Sequence, residues 1–263
     1  MGMGDEIMAA GRAETLYQST GRPVAITDNR GRVRWHEVWD GNPAIEPNAE
    51  QRIVDCPGHR AYIVRWEGRT VVFNHEHRAR AGRIYLAQGE RAWAADLCLP
   101  HEFVIVEPEL QVKSSPNKQW GRANWERLVS LLPLPVYQLG PADGRVTLPG
   151  AHRIVTPTAR LAAAVVERST LCVLPEGGLH HVAAALQRRA VVIFGAFTPP
   201  LVTGYAIHSN IAVDTVEGYC GRYDRCAHCA QAMAKISPEI VAREALVALG
   251  FPVKHNAPAT AHN

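Results

Sequence analysis

The sequence predicts an α/β protein whose second half folds around a parallel β-sheet, and three observations indicate this class. Short apolar runs alternate with stretches of helical period. The runs end at glycines or polar turns, as strands that lead into helices do. Residues 171–195 combine these features in one unit: an apolar run, a Glu-Gly-Gly turn, a short helix and a second apolar run. Such strand–helix–strand units build doubly wound parallel sheets.

The composition is that of an ordinary soluble globular protein. The 263 residues allow one large domain or two small ones. No apolar run approaches the length of a membrane span, and the N-terminus is polar and acidic by Glu6. We therefore expect no membrane span, no signal peptide and a cytoplasmic location. The net charge of +3 is too small to indicate nucleic acid binding by itself.

The basic charge is carried mainly by arginine. Residues 59–91 hold seven arginines and three histidines against three glutamates. Arginine suits bidentate phosphate contacts, although GC-rich coding produces the same bias. The stretch therefore predicts either a positive surface for a polyanionic acceptor or the solvated face of an edge sheet.

The first half begins with a predicted glycine loop at residues 2–4, and a helix follows it. Asp5 lies at the junction, where a rigid carboxylate open to a cleft can act as a general base. The alternative interpretation is an acidic residue that completes a helix N-terminus. Residues 107–118 are polar and irregular and contain two prolines. We place a domain boundary there, with domains at residues 1–110 and 111–263.

In the second half, helices and strands alternate regularly. Lys118 lies in a polar loop ahead of a helix, where a lysine can meet a diphosphate as a point charge. The strand at residues 136–139 ends at Gly140. The last helix begins at Ser237-Pro238-Glu239, which provides a capping serine and a proline at the first position. Residues 254–263 are predicted to form a polar tail.

The turn Glu176-Gly177-Gly178 lies where parallel sheets bind ligands, between the end of a strand and the start of a helix. Free amides and the helix dipole favour phosphate there, and glycines let a ligand approach the backbone. The carboxylate of Glu176 can accept hydrogen bonds from a ribose diol. The turn predicts nucleotide binding, but a glycine turn also occurs in α/β proteins that bind no nucleotide.

Half of the six cysteines form one cluster, Cys220, Cys226 and Cys229. In a reducing compartment such spacing favours a metal over a disulfide. A tetrahedral site needs a fourth ligand, and both His208 and His228 are candidates. Free thiols and a Cys226–Cys229 disulfide are the alternatives.

Taken in order, these motifs resemble the heptosyltransferase-like glycosyltransferases of glycosyltransferase family 9. The resemblance covers residues 2–12 and nearly all of residues 113–249. The matching segments are Gly4-Asp5, Lys118-Gln119-Trp120, Gly140, Glu176 to His181, Ala183 to Leu186, Phe194-Gly195, Thr198-Pro199, Thr203-Gly204, and Cys220, Cys226, Cys229, Met233, Ile236 and Val241.

The resemblance implies a GT-B fold, in which two Rossmann-like domains face a cleft. The N-terminal domain is expected to be reduced, because the family usually has a strand before the Gly-Asp loop and Met1 leaves no room for it. The C-terminal domain would bind a nucleoside-diphosphate sugar and the N-terminal domain the acceptor. Transfer would invert the configuration without a required catalytic metal, and a zinc or iron ion at the cysteine cluster would be structural.

The same resemblance assigns roles to single residues. Asp5 matches the base that deprotonates the acceptor hydroxyl, and Lys118 matches the diphosphate contact. The phosphate-facing helix start and the rest of the donor side correspond to Gly140, Glu176, Gly177, Gly178, His180 and Thr198. The family often has aspartate where Glu176 stands, which leaves the donor open.

The leading hypothesis is therefore a glycosyltransferase whose acceptor is a lipopolysaccharide-type sugar or a hydroxylated base in modified DNA. One alternative is a non-catalytic protein that binds a nucleotide sugar. Another is a metal-stabilised interaction module built on the cysteine cluster. The sequence predicts no particular sugar, nucleotide or oligomeric state.

Overall fold

The computed structural model describes residues 2–109, 114–140, 144, 146–213 and 218–252. Lys113 and the predicted tail lie outside the described residues. The helices are α1 (Met3–Thr20), α2 (Gln88–Asp96), α3 (Arg122–Leu131), α4 (Ala159–Arg168), α5 (Gly178–Ala185), α6 (Pro200–Thr203), α7 (Ala227–Ala234) and α8 (Pro238–Leu249). The strands are β1 (Val24–Thr27), β2 (Gln51–Val54), β3 (Ile63–Glu67), β4 (Thr70–Phe73), β5 (Val104–Val106), β6 (Val136–Gly140), β7 (Ala151–Val155), β8 (Leu171–Pro175), β9 (Ala190–Gly195) and β10 (Ser209–Ala212). Of these helices, none is long and apolar enough to cross a membrane.

The main sheet has six parallel strands in the order β10-β9-β8-β5-β6-β7. Strands β8 and β9 are buried along their whole length, because helices cover both faces of the sheet. On one face, α4 and α5 share a hydrophobic core with α1. On the other face, α3 packs against α8. This doubly wound arrangement confirms the predicted α/β class.

The strand order reverses between β5 and β8. The chain adds β6 and β7 on one side of β5 and then crosses back to β8, where Val173 pairs with Val106. In open α/β sheets, ligands bind outside the carboxyl ends of the strands at such a switch point. The turn at Glu176 follows β8 directly, so the fold places the predicted nucleotide-binding turn at this crevice.

The N-terminal half is smaller and more irregular, as predicted. Its described strands form two separate pairs, the parallel pair β1–β2 and the antiparallel hairpin β3–β4. Strand β5 precedes the boundary expected at residue 110 but hydrogen-bonds in the middle of the main sheet. The division into residues 1–110 and 111–263 stays a prediction.

Helix α1 begins earlier than the sequence suggests. The glycines at residues 2–4 do not form a loop, because Gly2 is the N-cap and the helix starts at Met3. Asp5 therefore lies in the first helical turn. A Cβ on Gly4 would lie 2.2 Å from Cδ2 of His181 on α5. The missing side chain thus lets α1 approach α5 closely and brings the starts of both helices together.

Candidate active site

A cleft of about 480 Å³ lies where the first turns of α1 and α5 meet the 3₁₀ turn Pro116–Lys118. Six of the predicted site residues line it: Asp5, Lys118, Glu176, Gly177, Gly178 and Thr198. The other residues on its walls are Gly2, Gly4, Met8, Tyr62, Val71, Phe73, Ser114, Ser115, His181, Phe197, Thr203 and Tyr223. The cleft thus combines a polar floor from the second half with aromatic walls drawn from both halves.

Asp5 presents a carboxylate to this cleft, with 24% of its side chain exposed. The hydroxyl of Tyr62 donates a hydrogen bond of 2.8 Å to Oδ1. The other oxygen, Oδ2, lies 3.8 Å from Nη2 of Arg60. One oxygen is therefore firmly held, and the other has only this longer contact. A general base needs such a rigid but accessible carboxylate, and the catalytic role of Asp5 stays a prediction.

A buried network of ion pairs fixes the helix turn that carries Asp5. Glu6 is fully buried, and its Oε1 accepts hydrogen bonds from Arg60 at 2.9 Å and from Arg34 at 2.7 Å. Arg60 also donates to the buried Asp55. Removing one member of such a network leaves an unpaired buried charge, which is strongly destabilising. The network therefore anchors the start of α1.

Lys118 and Glu176 form an ion pair at the end of β8. The hydroxyls of Thr198 and Thr203 donate to the two carboxylate oxygens at 3.4 and 3.5 Å. Burial alone would raise the pKa of Glu176, but the Lys118 charge and the hydrogen bonds outweigh it, and the pKa lies below its ordinary value of 4.5. The Lys118 ammonium also lies 5.0 Å from the centre of the Phe197 ring. The predicted diphosphate contact and the predicted ribose contact are thus one charged unit.

His180 supports the glycine turn from inside. Its Nδ1 accepts a hydrogen bond of 3.0 Å from the Gly177 amide, and its Nε2 lies 3.1 Å from the carbonyl oxygen of Thr203. These two bonds assign the proton to Nε2. The ring is fully buried, and burial lowers its pKa, so it is neutral. His180 therefore caps α5, and its predicted contact with the donor stays a prediction.

Gly178 has a packing role that the sequence pattern does not reveal. A Cβ at this position would lie 2.8 Å from Cε of Met3. The glycine therefore lets α1 sit against the start of α5, in addition to leaving the backbone open to a ligand.

The remaining predicted donor residues occupy different places. Thr198 is buried beside the carboxylate of Glu176. Gly140 ends β6 and is not among the residues that line this cleft, and residues 141–143 after it lie outside the described part of the chain. The donor contact of Gly140 stays a prediction.

Three cleft residues were not selected from the sequence: Tyr62, His181 and Tyr223. Nδ1 of His181 lies 2.6 Å from the hydroxyl oxygen of Tyr205. Burial and the nearby positive groups hold the pKa of His181 well below its ordinary value, so the ring is neutral. Its place beside a glycine turn is a signal that could have found it. Nothing local in the sequence marks the two tyrosines.

The cysteine-rich segment is joined to the turn that carries Lys118. Ser115 and Asn117 donate side-chain hydrogen bonds to the carbonyl oxygen of Arg222, at 3.3 and 2.7 Å. The amide of Cys226 donates back to Oδ1 of Asn117 at 3.0 Å. The position of Lys118 in the cleft therefore depends on the conformation of the cysteine segment.

The structure adds a fourth candidate ligand to the cysteine cluster. Ligand atoms of Cys220, Cys226, His228 and Cys229 all lie within 4.8 Å of one another. The three cysteines are free, so the alternative Cys226–Cys229 disulfide is not formed. A hydrogen bond from Cys229, 3.0 Å away, lowers the pKa of Cys220. Of the two predicted histidines, the cluster contains His228 and not His208.

His228 gives the test of whether this cluster fits a metal. Both of its ring nitrogens are buried, and neither has a hydrogen-bond partner within the described chain. A buried polar group without a partner costs free energy, and a metal ion would remove that cost. Three thiolates and one imidazole are a donor set typical of tetrahedral zinc, and thiolates also bind iron. The residues therefore fit a metal ion.

The comparisons with known proteins agree with this fold and site. The family model of glycosyltransferase family 9 (heptosyltransferase) matches residues 148–227, which include the glycine turn and most of the cysteine cluster. No curated protein sequence matches the chain.

Solved structures show the same fold at low sequence identity. A glycosyltransferase of family 9 from Veillonella parvula superposes with a TM-score of 0.63 at 14% identity, over 95% of each chain. The iron-containing dodecameric glycosyltransferase TibC of Escherichia coli gives 0.59 at 12% identity, over 92% of this chain and 72% of that one. ADP-heptose heptosyltransferase II of E. coli gives 0.49 at 19% identity, over 65% of this chain. This chain spans about half (54%) of the length of that enzyme.

Fold and site together define the class of protein that this chain resembles, the nucleotide-sugar glycosyltransferases with a GT-B-like fold. Within that class, the comparisons confirm the predicted resemblance to the heptosyltransferase-like members of glycosyltransferase family 9.

Proposed function

We propose that the chain is an inverting glycosyltransferase that moves a hexosyl- or heptosyl-type sugar from a nucleoside-diphosphate sugar to a hydroxyl acceptor. The observation that carries this proposal is a single cleft at the switch point of the sheet, which holds Asp5 together with the Lys118–Glu176 pair. The family match at residues 148–227 supports it. Residues 111–263 would bind the donor, and residues 1–110 would bind the acceptor.

The proposed reaction is one displacement at the anomeric carbon. Oδ2 of Asp5 takes the proton from the acceptor hydroxyl, and the acceptor oxygen forms a bond to the anomeric carbon. The bond between that carbon and the diphosphate oxygen breaks on the opposite face, and its electron pair leaves with the nucleoside diphosphate. A single displacement of this kind inverts the configuration. The hydrogen bond from Tyr62 to Oδ1 keeps Oδ2 directed toward the acceptor.

The leaving group gains negative charge as the glycosidic bond breaks. Lys118 and the amides at the start of α5 stabilise that charge where it develops. Glu176 accepts hydrogen bonds from the ribose diol while it keeps Lys118 oriented. These groups are fixed before the reaction, so little reorganisation is needed.

Nucleotide binding is the first test of this proposal. We expect ADP, GDP, UDP or CDP, or one of their sugars, to stabilise the protein by about 2.7 kcal/mol at a hundredfold excess over Kd. The family of nucleotide that binds then identifies the donor for an acceptor search. If none of them shifts the melting temperature, the donor site is wrong.

The second test uses Asp5→Asn, with Asp96→Asn on the exposed face of α2 as the matched control. Asp5→Asn is expected to abolish transfer but to leave nucleotide binding unchanged, while Asp96→Asn keeps both. Full transfer by Asp5→Asn would show that Asp5 is not the base. Tight nucleotide binding with no transfer to any acceptor extract would instead favour the non-catalytic alternative.

The acceptor proposals are a lipopolysaccharide-type glycan and a hydroxylated base in modified DNA. Duplex DNA binding should weaken steeply as the salt concentration rises, because counterions are released when phosphates are bound. A binding titration at two salt concentrations therefore separates the two acceptors. Undetectable or salt-insensitive binding would remove the DNA acceptor.

We also propose that Cys220, Cys226, His228 and Cys229 bind a structural zinc or iron ion. The unpartnered nitrogens of His228 and the three clustered thiols support this. TibC, which is similar in fold, is an iron-containing protein. The ion would fix the segment whose Gly221 carbonyl accepts a hydrogen bond from the amide of β4 residue Val71.

A further inference from the structure

A second cavity, of about 460 Å³, runs along α1 next to the active-site cleft. We call it the α1 groove. Its walls are one face of α1 and the segments around residues 53, 61 and 77–80. The basic residues that line it are Arg12, His77, Arg78 and Arg80, and none of its lining residues is acidic.

The positive charges of Arg78 and Arg80 are not neutralised by neighbouring carboxylates. Arg78 donates hydrogen bonds to the backbone carbonyls of His75 and His77, at 2.6 and 2.8 Å. Arg80 donates to the hydroxyl of Thr15 at 2.9 Å. Both side chains form no ion pair within the described ranges. The groove therefore carries net positive charge that an anion can neutralise.

His77 is a second sign of an incomplete site. Its Nε2 is buried and lacks a hydrogen-bond partner among the residues that are described. Burial lowers the pKa of His77, and the positive charges of Arg12 and Arg78 lower it further. Arg12 pairs with Asp55, but that carboxylate is shared with Arg60. An anion in the groove would meet two guanidinium groups and an imidazole with a free nitrogen.

The α1 groove is continuous with the candidate active site. Asp5, Met8 and Arg12 lie on one face of α1, at positions i, i+3 and i+7. Met8 lines both cavities. At about 1.5 Å of rise per residue, Arg12 lies about 10 Å along the helix from Asp5. The ring of Tyr62, which bonds Asp5, also lies 6.3 Å from the ring of His77.

We propose that the α1 groove binds an anionic group, a phosphate or a carboxylate, carried by the acceptor about 10 Å from the hydroxyl that reacts at Asp5. The inference rests on the proposed function for the word acceptor, but the anion site itself does not. Arg78 and Arg80 bind the anion, and the face of α1 between Arg12 and Asp5 guides the neutral part of the acceptor into the cleft.

The test measures direct binding, by calorimetry, of inorganic phosphate, glucose 6-phosphate, glucuronate and glucose. It compares the unmodified protein with the double variant Arg78→Gln/Arg80→Gln. We expect the sugar anions to bind more tightly than inorganic phosphate or glucose, and the double variant to weaken their binding by at least about tenfold. The matched control is Arg65→Gln/Arg122→Gln, which removes the same charge from two exposed, ion-paired arginines and should leave binding unchanged.

Lys118→Gln separates this site from the donor cleft. If Lys118→Gln weakens sugar-anion binding as strongly as the double variant does, the anion occupies the donor cleft and the groove proposal is wrong. Equal affinity for inorganic phosphate and glucose 6-phosphate would mean a free-phosphate site, which overturns the acceptor assignment. Unchanged binding in the double variant would overturn the site itself. Sugar-anion binding at the groove without any nucleotide binding would instead contradict the proposed function and leave the groove intact.

Discussion

The hydroxyl of Tyr62 donates a hydrogen bond of 2.8 Å to Oδ1 of Asp5, which joins the start of α1 to the chain just before β3. Burial raises the pKa of Tyr62 well above its ordinary value of 10.0, and the Asp5 charge raises it further. The phenol therefore stays protonated at neutral pH and acts only as a donor. Its position determines which oxygen of Asp5 is available to an acceptor.

Replacing Tyr62 with phenylalanine removes this bond without changing the shape of the ring. Because a hydrogen bond to a charged group contributes about 1.5–3 kcal/mol, we expect kcat to fall by about tenfold or more. The Kd for the donor nucleotide should not change, because Tyr62 faces the acceptor side. Tyr17→Phe, also on α1, is the control and should behave as the unmodified protein. Equal losses of nucleotide binding and kcat would indicate damage to the fold and not to the base.

The Lys118–Glu176 pair predicts a specific pH dependence of stability. The folded-state pKa of Glu176 is lowered, so its ionisation stabilises the folded protein above the ordinary pKa of 4.5. That stabilisation is lost as the pH falls through the folded-state pKa. At pH 7, Glu176→Gln should cost about 3 kcal/mol of unfolding free energy, because it leaves the Lys118 charge unpaired.

The measurement is chemical denaturation of both proteins between pH 7 and pH 3. The difference in unfolding free energy between them should shrink as the pH falls, since acid neutralises Glu176 in the unmodified protein. Glu126→Gln, which removes the exposed partner of Arg122, should cost less than about 1 kcal/mol at every pH. A pH-independent difference for Glu176→Gln would mean that the carboxylate charge does not stabilise the fold.

The parts of the fold that sequence predicts well are those set by local pattern. Strand β8, the glycine turn and α5 follow from an apolar run, a breaker and a helical period in one short segment. The start of α1 was placed too late, because the sequence shows two flexible glycines there. Their actual cause is the close contact of Gly4 with His181, which is a tertiary constraint.

The limits of prediction for the site have the same origin. Lys118 and Glu176 were both selected, but only the fold shows that they pair. In the arginine-rich stretch, sequence cannot separate Arg65 and Arg69, whose side chains pair with Glu67 and Asp224, from those that line the α1 groove. Spacing alone also left the fourth metal ligand undecided, because His208 and His228 are equally plausible until the chain is folded.

Metal removal should destabilise the protein if the cysteine cluster holds an ion. We expect about one equivalent of zinc or iron after mild purification and a large fall in melting temperature after chelation, because metal binding energy contributes to folding energy. Cys226→Ser should reproduce both effects. Cys98→Ser, at an exposed thiol outside the cluster, should reproduce neither. Less than about 0.2 equivalents of metal would contradict a structural site of the usual affinity.

Gly4→Ala tests whether the contact between α1 and α5 builds the cleft. The new methyl group would lie 2.2 Å from His181, so α1 must shift away from α5 and carry Asp5 with it. Overpacking of this kind costs about 1–3 kcal/mol, and we expect transfer to fall much more than nucleotide binding. Gly89→Ala in α2 is the matched control, because nothing lies within 4 Å of its added methyl group. That substitution should be neutral or stabilising by up to about 1 kcal/mol. If Gly4→Ala kept full stability and transfer, the two helices would not need this close approach to hold Asp5 in the cleft.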